Sequence, residues 1–99
     1  MKLGELVFQP YYFGRSVLTI DHPNGELGLD VYEVSKLTNF LQSFLDKLPI
    51  SQQLILTDLQ LDLDIDGEVC FMFNDYNESM SWLRYDEINE LVIFLKQIL

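Results

Sequence analysis

Residues 17–45 and 71–99 align with each other at a constant offset of 54, without a gap. Seven positions are identical: Asp21/Asp75, Leu29/Leu83, Glu33/Glu87, Leu37/Leu91, Phe40/Phe94, Leu41/Leu95 and Leu45/Leu99. Val17/Phe71, Leu18/Met72, Val34/Ile88 and Phe44/Ile98 keep apolar character. A leucine-rich composition gives roughly two or three such identities by chance. The pairing predicts a strand–strand–helix unit built twice, with pseudo-repeat halves 1–49 and 50–99 inside a single domain spanning 1–99.

Local patterning fills in each half. Leu3–Phe8 alternates as a first strand, and Gln9-Pro10 is expected to break it. Tyr11, Tyr12 and Phe13 follow at a bend or in a second short strand. Arg15–Asp21 and Glu26–Leu29 form a hairpin around His22-Pro23-Asn24-Gly25, pairing Ile20 with Leu27 and Leu18 with Leu29. Asp30 and Glu33 have the spacing of a capping box. The helix they open is expected to run to about Leu48, with Val34, Leu37, Leu41, Phe44, Leu45 and Leu48 on one stripe, and to stop at Pro49.

In the second half, Leu54–Ile65 is the longest strand candidate. A three-residue loop, Ile65-Asp66-Gly67 with glycine left-handed, pairs Leu63 with Val69, Leu61 with Phe71 and Leu59 with Phe73. Asn74–Met80 reads as loop and Ser81–Leu83 as a short strand. A last helix starts near Tyr85, and its wider apolar arc suits a central position or a contact surface. The expected fold is α+β: an antiparallel sheet of about five or six strands with both helices on one face.

With 48% apolar residues, a chain of 99 residues can bury a core. Sixteen acidic residues against six basic give a formal net charge of −10. Such a chain repels phosphate backbones, so direct nucleic-acid binding is not expected, and its field favours a basic protein partner. Cys70 is the sole cysteine, which excludes an intramolecular disulfide and any CxxC motif. The N-terminus lacks a signal-peptide core and no apolar run reaches membrane-spanning length, so a cytoplasmic location is expected.

Asp62-Leu63-Asp64-Ile65-Asp66-Gly67 matches the opening of an EF-hand loop, but Phe73 stands where the bidentate glutamate belongs, so no metal is expected there. The same acids suggest a binding surface. On a strand, Asp58, Gln60, Asp62 and Asp64 share an outer face, and Glu68 extends the row past the turn. A row of like charges opposes folding and suits Arg and Lys from a partner. Among the aromatics, Phe13 and Trp82 are assigned to the core, and Tyr12 and Tyr76 to an exposed contact surface. His22 is read as a turn residue and Cys70 as a buried structural thiol. No nucleophile motif, phosphate loop or zinc spacing is present, so neither a catalytic role nor a cofactor is expected.

This profile is similar to that of bacterial immunity proteins that cap toxin nucleases, although it shares no motif with them. The expected function is a non-catalytic acidic protein that neutralises a basic partner, such as a toxin nuclease, through Asp58, Asp62, Asp64, Glu68, Tyr12 and Tyr76. The alternative is an oligomerisation or scaffold domain, with a homodimer formed through the C-terminal helix or a sheet edge.

Overall fold

Among the described residues, each half of the chain runs through four strands and then a helix. A computed structural model describes residues 1–48, 52–64, 66–74 and 78–99. In it β1 (Lys2–Leu3), β2 (Leu6–Phe13), β3 (Ser16–His22) and β4 (Gly25–Asp30) form one antiparallel sheet in chain order, followed by α1 (Val31–Leu45). Next, β5 (Gln53–Ile55), β6 (Leu59–Leu63), β7 (Val69–Phe73) and β8 (Ser79–Leu83) form a second antiparallel sheet, followed by α2 (Tyr85–Ile98). The fold is α+β, with two four-stranded sheets in place of the single sheet of five or six strands expected from the sequence.

Two tight turns account for much of that difference. Leu3–Phe8 looks like one strand, but left-handed Gly4 (φ 58°) reverses the chain so that Leu3 pairs with Leu6. Leu54–Ile65 also looks like one strand, yet the Leu56 amide donates to the Leu59 carbonyl at 2.8 Å, folding the chain over Thr57 and Asp58. Neither of those residues is a strong breaker, so this turn leaves little trace in the sequence. Pro10, expected to end a strand, instead lies inside β2 opposite Leu18. The N-terminal segment covers β2 no further than Phe8, whose amide donates to the Met1 carbonyl at 2.8 Å, so β2 is an edge strand by the time it reaches Pro10, and the missing N–H is not needed there.

The hairpin registers follow hydrophobic matching. Leu18 pairs with Leu29 and Ile20 with Leu27, although the turn is two residues long because His22 pairs with Gly25. Leu59, Leu61 and Leu63 pair with Phe73, Phe71 and Val69, and Gly67 is left-handed at φ 81°. Ile65 of that loop lies outside the described residues. The inward side chains meet in one core. Leu6, Phe8, Leu18 and Ile20 of the first sheet join Leu59, Leu61, Phe71 and Phe73 of the second. The rings of Phe8 and Phe71 meet edge to face at 6.4 Å. Val34, Leu37 and Leu41 of α1 and Ile88, Leu91 and Leu95 of α2 complete the core. Burying each such side chain stabilises the fold by about 1.5–3 kcal/mol.

Helix α1 begins with the expected capping box: the Glu33 amide donates to Asp30 Oδ1 at 2.8 Å, and the Asp30 amide donates to Glu33 Oε1 at 3.5 Å. It ends at Leu45, earlier than the expected Leu48. Lys47 is left-handed (φ 55°), its amide donates to the Phe44 carbonyl, and the Leu48 amide donates to the Ser43 carbonyl at 3.1 Å. This Schellman closure satisfies the last carbonyls. Leu48, expected on the core stripe, is exposed. On α2, Val92 is buried and Phe94 half-buried, while Ile93 faces out.

The offset of 54 holds from β4 through α1, but it fails in the preceding strand. Leu18 stands opposite Leu29, and Val69 stands opposite Leu83. The inward residues of β3 and β7 therefore match at an offset three residues shorter than the gapless alignment gives. Leu18 is fully buried, whereas its sequence match Met72 is only partly so. Five residues, 74–78, separate β7 from β8, against two, 23–24, between β3 and β4, and Asp75 of the Asp21/Asp75 identity lies outside the described residues.

Candidate functional site: the outer face of the second sheet

In β6, β7 and β8, alternation sends Leu59, Leu61, Phe71, Phe73 and Leu83 into the core and their neighbours outward. The register arranges those neighbours in two rows across the sheet. Gln53, Asp62, Cys70 and Trp82 form one, and Ile55, Gln60, Met72 and Met80 form the other. Directly opposed side chains lie about 4.5–5.5 Å apart at Cβ, so each row is a line of contacts. Among the described residues no helix covers this face: Ile55 is 68% exposed, Met80 50% and Trp82 48%. Asp62, Asp64, Cys70, Met72, Met80 and Trp82 line an open groove of about 360 Å³.

The acids are not spread evenly. Gln60 Nε2 donates to Asp62 Oδ1 at 3.0 Å, which fixes Asp62 on the same face as Gln60. The Asp64 amide donates to the Glu68 carbonyl at 2.8 Å, bringing Glu68 beside Asp64 at the head of the hairpin. The Asp66 amide donates to Asp64 Oδ1 at 3.4 Å. Asp58 lies in the β5–β6 turn, about 13 Å along the strand from Asp62, and is half-buried. Asp62, Asp64 and Glu68 therefore cluster at one end of the face and Asp58 stands apart. Cys70 is a free, buried thiol on this face, and burial, then the charges of Asp62 and Asp64, push its pKa up. A shift in that direction lowers the thiolate fraction relative to an exposed cysteine.

Tyr12 is 74% exposed, but on β2 of the other sheet. Tyr76 lies outside the described residues. Trp82, assigned to the core from sequence, is half-exposed because Ser81 and Leu83 take the inward positions of β8. With Met72, Met80 and Ile55, it is the part of this face that sequence reasoning missed. The parity of β8 carried the signal, since an inward Leu83 forces Trp82 outward.

His22 also departs from expectation. It ends β3 with only 7% of its surface exposed, on the inward parity of Leu18 and Ile20. Its ring stacks on Phe73 and its Nδ1 lies 2.8 Å from Ser79 Oγ, joining the two sheets. Asp62, Asp64 and Asp66 follow a strand and its turn rather than encircling a point. Among the described residues no group of three or more His, Cys, Asp or Glu is placed to hold a metal ion. No helix among them is long and apolar enough to cross a membrane.

Comparison with protein-family models, with curated proteins and with solved structures finds no match to this chain.

Proposed function

We propose that this protein is a non-catalytic binding protein that captures a basic protein partner on the outer face of β5–β8. The observation that carries this reading is the groove that Asp62 and Asp64 share with exposed Trp82 and Met80, on a sheet face that no helix covers among the described residues. Acids of one sign steer a basic partner into encounter, and an exposed aromatic flanked by apolar side chains supplies an anchor once contact is made. A net charge of −10 adds long-range attraction for a basic surface and repels nucleic acid. Neutralising a toxin nuclease, as an immunity protein or a phage-encoded inhibitor does, is the narrower form of this reading. The free Cys70 thiol suits a reducing compartment, and the cytoplasm is the proposed location.

The oligomerisation reading has less support. Val92 and Phe94 widened the apolar arc of α2, and the core takes up both, leaving Ile93 as its exposed member. Tyr85 is the other large apolar side chain exposed on α2, and isolated exposures of this kind are ordinary for a protein surface.

A duplicated strand–strand–helix unit is the finer reading of the fold. The two helices start 54 residues apart, at Val31 and Tyr85, and Glu33 and Glu87 each accept the amide of the residue before their helix. At the same offset, Gly28 stands where the second half has Trp82, and Glu26 where it has Met80. The duplication thus diverged at the binding face, and only the second half carries the anchor.

The test is comparative capture from lysates of the native host with immobilised protein. A basic partner held by the wild type should be lost by the Asp62→Lys/Asp64→Lys double variant and kept by Asp46→Lys/Glu90→Lys, whose sites are exposed on the helical side. Loss from both variants, or from neither, would refute the acidic face as the binding surface.

A further inference from the structure

We propose that the groove between Trp82 and the Asp62/Asp64 carboxylates receives an arginine side chain of the basic partner. This rests on the binding reading above and names what the face recognises. Met72, Met80 and Trp82 give the groove an apolar side, and Asp62 and Asp64 give it an acidic one. A side chain that suits both needs an aliphatic stem and a cationic, stackable head, and arginine has this form. Asp62 and Asp64 repeat at about 6.6 Å along the strand, so a flat guanidinium with several donors can reach more than one carboxylate. The Gln60 and Asp66 bonds each use Oδ1 of their aspartate, and Oδ2 of each is the atom assigned to the incoming donors. A guanidinium also stacks on an indole, an interaction worth about two- to fivefold in affinity at an exposed site. Lysine offers a compact charge without the flat stacking surface.

Charge argues against the competing occupants. A purely apolar segment seated here would strip water from Asp62 and Asp64 without pairing them. A second copy of this chain would bring the same acids face to face on a molecule already at −10.

Trp82 is the only tryptophan, so its emission reports directly on the groove. The experiment titrates the full chain with hexa-arginine and hexalysine peptides at low salt, reading Trp82 emission, its protection from acrylamide quenching, and calorimetric affinity. The expected result is a change in emission and protection with hexa-arginine, and binding at least about threefold tighter than hexalysine. Trp82→Leu should abolish that preference while retaining salt-sensitive binding of both peptides. Asp62→Asn/Asp64→Asn should weaken both by about tenfold or more, with circular dichroism melts confirming that each variant folds. The wild-type quenching measurement stands even if a variant does not. Equal binding of both peptides with unchanged Trp82 emission would overturn the arginine groove and leave the acidic-face reading intact. Absence of binding by either peptide would overturn both. A doubled mass in sedimentation that disappears in Trp82→Ser would assign the face to a second copy and overturn the proposal.

Discussion

The imidazole of His22 lies flat against the ring of Phe73, with centroids 4.3 Å apart and planes 11° apart, tying the end of β3 in one sheet to the end of β7 in the other. Ser79 Oγ meets the same imidazole at Nδ1, so three strands from both sheets converge on one side chain. Stability measured by urea denaturation should show this. His22→Ala loses the stack and leaves Ser79 without its ring partner, and should cost about 1–3 kcal/mol. His22→Phe keeps the stack and should cost less. Equal losses in the two variants would mean that the stack contributes nothing.

Lys47 holds a left-handed backbone at the end of α1 (φ 55°), a conformation that glycine adopts without a Cβ clash. Lys47→Gly should therefore stabilise the protein by about 0.5–1 kcal/mol, the relief of the clash outweighing the entropy that glycine adds to the unfolded chain. A shift of the urea midpoint with an unchanged slope is the readout.

Leu41 and Leu95 occupy matching places on the two helices, and neither exposes any surface. Leu41→Ala and Leu95→Ala should each destabilise by about 2–4 kcal/mol. A loss below about 1 kcal/mol at either site would show that one helix packs loosely where the structure closes it.

Glu26 faces Asp21 across the β3–β4 pair. A hydrogen bond with Asp21, then the Asp21 charge, then slight burial hold its carboxyl above its ordinary pKa. The folded chain therefore keeps a proton that the unfolded chain releases, and stability falls as pH rises through the window just above the usual glutamate value. Glu26→Gln should raise the melting temperature at neutral pH, and the advantage should vanish on acidification below that window. An advantage that persists unchanged at low pH would contradict the Asp21–Glu26 coupling.

Much of this architecture was legible in the sequence because apolar alternation is a strong constraint. The pairings Leu61–Phe71 and Ile20–Leu27 follow from matching apolar faces, and α1 announces its start through Asp30 and Glu33. The division into two sheets was not legible. Alternation tells which side chains face inward, but not which strands are neighbours, and the Thr57–Asp58 turn carries no glycine or proline. The gapless repeat was misleading for a related reason. The two helices start at the same offset of 54, whereas β3 and β7 differ in register because hairpin connections change length freely. At the candidate site the acids were visible as a row. Their partner Trp82 was not, because an aromatic beside Leu83 reads as core until the parity of β8 is fixed.

Salt-dependent association tests the acidic face most directly. A partner obtained by the comparative capture would be mixed with the protein in stopped flow, with Trp82 emission as the signal, while ionic strength is raised from about 0.01 to 0.15 M, over which the screening length falls from roughly 30 to 8 Å. The association rate should drop by about tenfold or more over that range. It should start lower and respond less in Asp62→Lys/Asp64→Lys than in Asp46→Lys/Glu90→Lys. A rate indifferent to both salt and the Asp62/Asp64 reversal would contradict capture of a basic partner by this face.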